Sequence, residues 1–340
     1  MLIVGEIHTA LLPHSRPLTP EEARAALSLA VGETVVQWAR PVPHTASPVL
    51  LHGVDCKLPL APKQDNQHAD DKSANGTTVR AVGTVCSRAV LTGGHLLQGS
   101  AWTAVAPPQQ PRRMPWSYYL ARPGTLETIG NFEAERLARA FLVAENRRDR
   151  SELLDTAAIA RHSIHDVLSR PVLDQRPPVK TGSTRLRWAA IADPGTRKAV
   201  AFRLVGNDRR RMSMVTGLVD PEHIAAAAED LAIHDWLLTA VAARIALAKI
   251  GEDPRHTLRT LRPVVDHLLH LWSAGARTSR DLEFMWDSLE RRPGLSRQWA
   301  TMTERVRSQI DYGAADLAAK MLDMMEQNQR QGGSADRFPR

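Results

Sequence analysis

From Asp220 to Gly251 the chain carries its longest uninterrupted helical pattern, and any fold it adopts must house that rod. Asp220 is a good N-cap, Pro221 fits the first helical position where its missing N–H costs nothing, and Gly251 supplies a left-handed stop. Between these ends Ile224, Leu231, Leu238 and Ile245 recur every seven residues, with Ala227, His234, Val241 and Ala248 interleaved. The spacing predicts a single apolar seam along the helix, and one seam position is a histidine.

The remaining pattern is of mixed type. Leu2–Leu12 reads as a strand, Thr19-Pro20-Glu21-Glu22 opens a helix that should stop at Gly32, and 34–39 reads as a second strand. Val79–Cys86 and His95–Val105 flank Thr92-Gly93-Gly94 as a hairpin. Helices are expected over 133–144 and 152–168, with a charged break at 145–150. From Arg185 the period changes to two, and the turns at Asp193-Pro194-Gly195 and Gly206-Asn207-Asp208 predict a three-stranded meander ahead of the Asp220 helix. Beyond Gly251 the stripes Leu261/Val264/Leu268/Trp272, Leu282/Met285/Trp286/Leu289 and Trp299/Met302/Val306/Ile310 predict further helices packed as a bundle.

The expected class is α+β. A mixed α/β domain spans 1–150, with a polar mobile loop at 61–77. A meander with a helical bundle spans 151–330, and a disordered tail spans 331–340. A length of 340 residues suits two cores.

Composition narrows the setting. The formal charge of +7 is carried mostly by arginine, which favours an acidic partner such as nucleic acid, although arginine spread without long blocks is also an ordinary solvated surface. Two cysteines are too few for a disulfide framework, and the start of the chain lacks a signal-peptide pattern. The most apolar window, 231–248, is interrupted by His234, Asp235 and Arg244, so no membrane span is expected and the location is expected to be cytoplasmic.

Four groups of residues could carry chemistry. His234 with Asp235 offers an acid–base pair or a metal ligand, though a core histidine bonded to a carbonyl or carboxylate would read the same way. Asp266, His267 and His270 share a stretch of helix and could join His234 in a metal site, but their spacing matches no zinc signature. Cys56, with His44 or His52 as a base, could be a reactive thiol, or simply a small buried hydrophobe. Arg112, Arg113, Trp116, Tyr118 and Tyr119 combine cationic forks with stacking planes, the ingredients of nucleic-acid or anion contact, and could equally pin a proline-rich linker. Phosphate-loop, dinucleotide-fold, nucleophile-elbow and Cys-x-x-Cys motifs do not occur, and no cofactor is expected.

Gly5-Glu6-Ile7 with Leu11-Leu12-Pro13-His14-Ser15, Gly53-Val54-Asp55-Cys56, Arg113-Met114-Pro115-Trp116-Ser117, Thr184-Arg185-Leu186-Arg187-Trp188, the run from Asp230 to Leu238, and the run from Val265 to Trp272 together resemble an uncharacterised actinobacterial protein family known from genome annotation. Genes of that family lie beside a variant P-loop protein and a methyltransferase-like protein. The resemblance implies a protein partner from the same small system and transfers no catalytic residue. Three functions follow as expectations: a non-catalytic interaction or adaptor protein, a metal-dependent or His/Asp acid–base enzyme built on the C-terminal helices, and a nucleic-acid binder using the Arg112 segment.

Overall fold

The computed structural model describes residues 1–62, 77–110, 112–144, 152–250 and 253–332. The expectations for a loop at 61–77, a break at 145–150, a stop at Gly251 and a tail at 331–340 fall wholly or largely outside them. The described chain is α+β and divides into two compact units, Met1–Trp236 with Ser273–Leu295, and Leu237–Trp272 with Ser296–Arg340. The boundary expected at residue 150 lies inside the first unit, because a strand before it pairs with a strand after it.

That first unit is built on one mixed sheet. β1 (Leu2–Leu11) is an inner strand, antiparallel to β6 (Leu96–Ala106) on one side and to β8 (Thr184–Ala192) on the other. It is buried because both neighbours cover it, and Leu2, Ile3, Val4 and Ile7 are fully enclosed. Gly5 is required at its centre, since a Cβ there would fall 2.5 Å from the ring of buried Trp188. β5 (Thr78–Thr92) forms the expected hairpin with β6 around Gly93 and Gly94, whose φ of 60° and 67° suit glycine.

β2 (Val36–Trp38), β3 (His44–Ala46), β4 (Leu50–Pro59) and β7 (Thr125–Ile129) complete the left half of the sheet, with β2 on its edge. α1 (Pro20–Leu27) has the capping box of Thr19 and Glu22, and ends before Gly32 because its buried face ends at Leu27. α2 (Trp116–Leu120) is a single short turn. α3 (Ala134–Val143) packs on β8, while α4 (Thr156–Leu168), capped by Asp155, packs on β1, β5 and β6. The main core gathers Leu2, Val4, Val85, Val105, Leu126, Leu137 and Phe141 between helices and sheet.

On the right half the expected meander is replaced by another order. β10 (Arg209–Thr216) lies between β8 and β9 (Ala199–Leu204), parallel to β8 and antiparallel to β9. The turn after β8 passes over the end of β10, where the Asp193 N–H donates to the Thr216 carbonyl at 2.8 Å. Local turn chemistry in the sequence is the same for either order, and pairing with β8 buries Met212 and Met214.

α5 (Pro221–Leu247) begins as expected, with Asp220 accepting the Glu222 N–H at 2.8 Å. The single seam is a correction: every residue from Ala227 to Trp236 is buried, including Glu229, Asp230, His234 and Asp235. A stretch of helix enclosed on all sides must pair its polar residues within the protein, and this one does.

The expected bundle is also divided. α7 (Glu283–Arg291) belongs with the sheet, where Lys198 lies 5.3 Å over the Phe284 ring. The second unit holds the rest of α5, α6 (Pro254–His267) and α8 (Leu295–Gly332). There the last carbonyls of α5 are taken by α6, with Thr257 donating to Ala248 at 3.1 Å and His256 Nε2 at 3.1 Å from the Leu247 carbonyl. Trp272 stacks on Trp299 with centroids 4.6 Å apart. Among the described residues, no helix is long and apolar enough to cross a membrane.

Candidate functional site

The first half of α5 meets β5, β3, β2 and the segment 273–277 around a cavity of about 420 Å³. Trp38, Arg40 and His44 form one wall, Glu222, His223 and Ile233 another, and Arg88, Asp230, His234 and Arg277 line the rest.

Beneath the cavity sits an ion network that crosses the fold. Arg88, in the middle of β5, donates from Nε and Nη2 to the two oxygens of Glu229, each at 2.9 Å. Its Nη1 donates to Glu222 at 2.8 Å, and Arg277 Nη2 donates to Glu229 at 2.6 Å. Glu229 is fully enclosed; burial alone would raise its pKa, but Arg88 and Arg277 override that and hold it down at about 2. A buried carboxylate with two guanidiniums stays ionised and fixed in place.

His234 and Asp230 tie the 273–277 segment to the helix. The Ser273 N–H donates to His234 Nε2 at 3.0 Å, so that nitrogen carries the lone pair and Nδ1 carries the hydrogen, 2.6 Å from the Asp230 carbonyl. The Gly275 N–H donates to the Asp230 carboxylate at 2.8 Å. Burial lowers the His234 pKa, and the ring meets Trp286 edge-on at 5.4 Å. Three successive polar positions of α5 therefore grip one loop through Gly275, Arg277 and Ser273. His44, whose Nδ1 lies 3.2 Å from Thr92 Oγ1, is pushed by burial down to about 2.

Asp235 points elsewhere. It accepts from Arg210 Nε at 2.6 Å, and Arg210 reaches on to the Gly206 carbonyl at 2.9 Å, so Asp235 secures the β9–β10 turn. Neighbours in sequence lie about 100° apart on a helix, which is why His234 and Asp235 serve different surroundings.

The other sequence candidates lie apart from the cavity. Cys56 is half-buried in β4, and burial pushes its thiol up to about 12; His52 Nε2 is 2.8 Å from Ser87 Oγ, and His44 is engaged as described. Asp266 pairs with Arg262 at 3.5 Å on an exposed face of α6, His267 ends that helix, and His270 follows it, exposed. Among the described residues, no group of three or more His, Cys, Asp or Glu could hold a metal ion.

In the Arg112 segment, Arg113 lies 3.4 Å from Asp55 and over the Trp116 ring, while Arg80 takes the same carboxylate with two bonds of 2.8 Å. Tyr119 is buried and its hydroxyl accepts the Met114 N–H at 3.1 Å. Trp116 covers Gly53, where a Cβ would come within 3.2 Å of its ring. These aromatics pin the segment to β4 and β5, and Arg112 and Arg113 are both exposed.

Arg88, Glu229, Arg277 and Trp38 were not singled out from the sequence. A signal existed for two of them: Arg88 stands between Cys86 and the apolar run Ala89-Val90-Leu91, and Glu229 follows the apolar run Ile224 to Ala228, so each called for an opposite charge if buried. No family model, no curated protein and no solved structure matches the chain.

Proposed function

We propose that the protein is a non-catalytic, cytoplasmic interaction component of a multi-protein system, and that the α5 cavity receives an anchoring side chain of its protein partner. One observation carries this reading: Trp38, 50% exposed on the edge strand β2, stands at the mouth of a cavity whose floor is a fixed ion network. Exposed tryptophan beside arginine over a rigid pocket is the composition of a binding hot spot. The polar groups of the floor support binding over proton transfer, because His234, Asp230, Glu229 and Arg88 are already committed to the contacts that hold the loop. The resemblance to a family encoded beside a P-loop protein and a methyltransferase-like protein supports a partner of that origin.

The test is affinity purification from the native host, comparing the wild type with Trp38→Ala/Arg40→Glu. A stoichiometric partner recovered with the wild type and lost with the variant, at unchanged thermal unfolding, is the expected result. Recovery of the wild type alone, or equal recovery of the partner with both proteins, overturns the reading.

A further inference from the structure

The two guanidiniums that line the α5 cavity from within are not equally provided for. Arg88 spends Nε, Nη1 and Nη2 on Glu229 and Glu222. Arg277, with 17% of its side chain exposed, donates from Nη2 to Glu229, and its Nη1 has no hydrogen-bond partner among the described residues. Their acidities differ in the same sense. Burial opposes the charge on both, yet Glu229 and Glu222 carry Arg88 above the ordinary arginine value, whereas Arg277 stays below it despite Glu229 and Asp230. A guanidinium short of an anion on the wall of a cavity is a binding group in want of a ligand.

The other polar groups of the cavity point the same way. Its carboxylates are engaged: Glu222 takes Arg88 at 2.8 Å, Glu229 takes both guanidiniums, and Asp230 takes the Gly275 N–H at 2.8 Å. Arg40 at the mouth is exposed and has no ion pair among the described residues. His44 reports a positive field, since burial lowers its pKa to about 2 and Arg277, the nearest charge in effect, lowers it further. Between Arg40 and Arg277, Trp38, Pro41, Val42, Ala226 and Ile233 give the cavity apolar walls.

We infer, on the reading of this cavity as the docking site of a protein partner, that the docked group is a carboxylate on an apolar stem, from an acidic side chain or a chain terminus. Guanidinium nitrogens match carboxylate oxygens, and the open position on Arg277 supplies a charge-assisted bond at the end of an apolar passage. Arg40 favours the approach of such a group from solvent. A cationic anchor is the poorer fit: Trp38 offers it a ring, but the acids are already paired and Arg40 stands at the entrance.

The test is titration of the full chain, labelled at its indole nitrogens, with two isosteric pairs of probes at constant ionic strength. N-acetyl-glutamate N-methylamide against its glutamine counterpart represents a side chain, and N-acetyl-phenylalanine against its amide represents a chain terminus. The Trp38 indole signal, identified by its loss in Trp38→Phe, reads occupancy. At least one acid should bind in the millimolar range, at least about tenfold tighter than its own amide, and the pair that discriminates identifies the source of the carboxylate. Arg277→Gln should abolish the discrimination and spare the binding of the amide. Should that variant fail to fold, Arg40→Gln should weaken the acid roughly threefold and leave the amide unchanged. Equal binding of acid and amide in both pairs overturns the inference, as does the lack of a saturable change with either acid up to about 20 mM. It is also overturned by discrimination that survives Arg277→Gln, or Arg40→Gln in its place, and by tighter binding of inorganic phosphate than of both acids. Partner capture is read separately. A partner lost with Trp38→Ala/Arg40→Glu beside equal binding of acid and amide ends the carboxylate assignment alone, and a carboxylate preference with no partner recovered ends the docking reading alone.

Discussion

Arg88 and Glu229, 141 residues apart in the chain, meet in a two-pronged contact with both bonds at 2.9 Å, and neither side chain has appreciable access to water. This pairing joins a central strand to the helix that lies over it, and it forms the base on which Glu222 and Arg277 are placed.

Removing one member of the pair leaves a buried charge under-compensated, Arg88 with Glu222 alone or Glu229 with Arg277 alone. Glu229→Gln is expected to destabilise the fold by about 3–5 kcal/mol, and Arg88→Met by a similar amount. The double variant should cost clearly less than the sum, because it removes both charges together. Urea unfolding of the three variants measures this, and strictly additive losses would show that the two groups do not depend on each other.

Stability should fall on mild acidification. Burial holds His8 down to about 3 and His44 to about 2, against an ordinary value of 6.5. Above pH 6.5 both rings are neutral whether the chain is folded or not; below it the unfolded chain takes up protons that the folded chain refuses. Each ring therefore lowers stability by about 1.4 kcal/mol per pH unit on the way down, and unfolding at about pH 5 should take up about two protons through them. Burial pushes the Asp230 and Asp235 carboxyls up, which acts in the opposite sense at the acid end. Denaturant midpoints at pH 7 and pH 5 test the sign, and equal stability at both would contradict it.

The thiols should be inert in the folded protein. Burial pushes Cys56 up to about 12 and Cys86 up to about 11, from an ordinary 9.0. Since the thiolate is the nucleophile, iodoacetamide at pH 8 should label both residues slowly until denaturant is added. Rapid native labelling of Cys56, read by mass spectrometry, would restore it as a reactive site.

Much of the local architecture was legible beforehand. Thr19-Pro20-Glu21-Glu22 opened α1, Gly93-Gly94 turned the hairpin, and Asp220-Pro221 opened the long helix, because caps and tight turns are set by residues adjacent in sequence. The candidate site was less legible. His234 was visible as a polar residue on an apolar seam, but its partner Ser273 lies 39 residues away and uses only its backbone, which no side-chain pattern announces. His234 and Asp235 have separate partners for the same reason: each side chain is aimed by what packs beside it.

By itself the sequence determined an α+β chain with capped helices, a glycine-turned hairpin and a surplus of arginine. These follow from backbone preferences and composition, which act over a few residues or over none in particular. Only the tertiary structure decided that β10 lies beside β8, that α5 is enclosed on all sides from Ala227 to Trp236, and that five arginines from three strands share one face. Strand order and charge clustering depend on which distant segments pair, and that choice is made by the burial of whole surfaces rather than by any local stretch of chain.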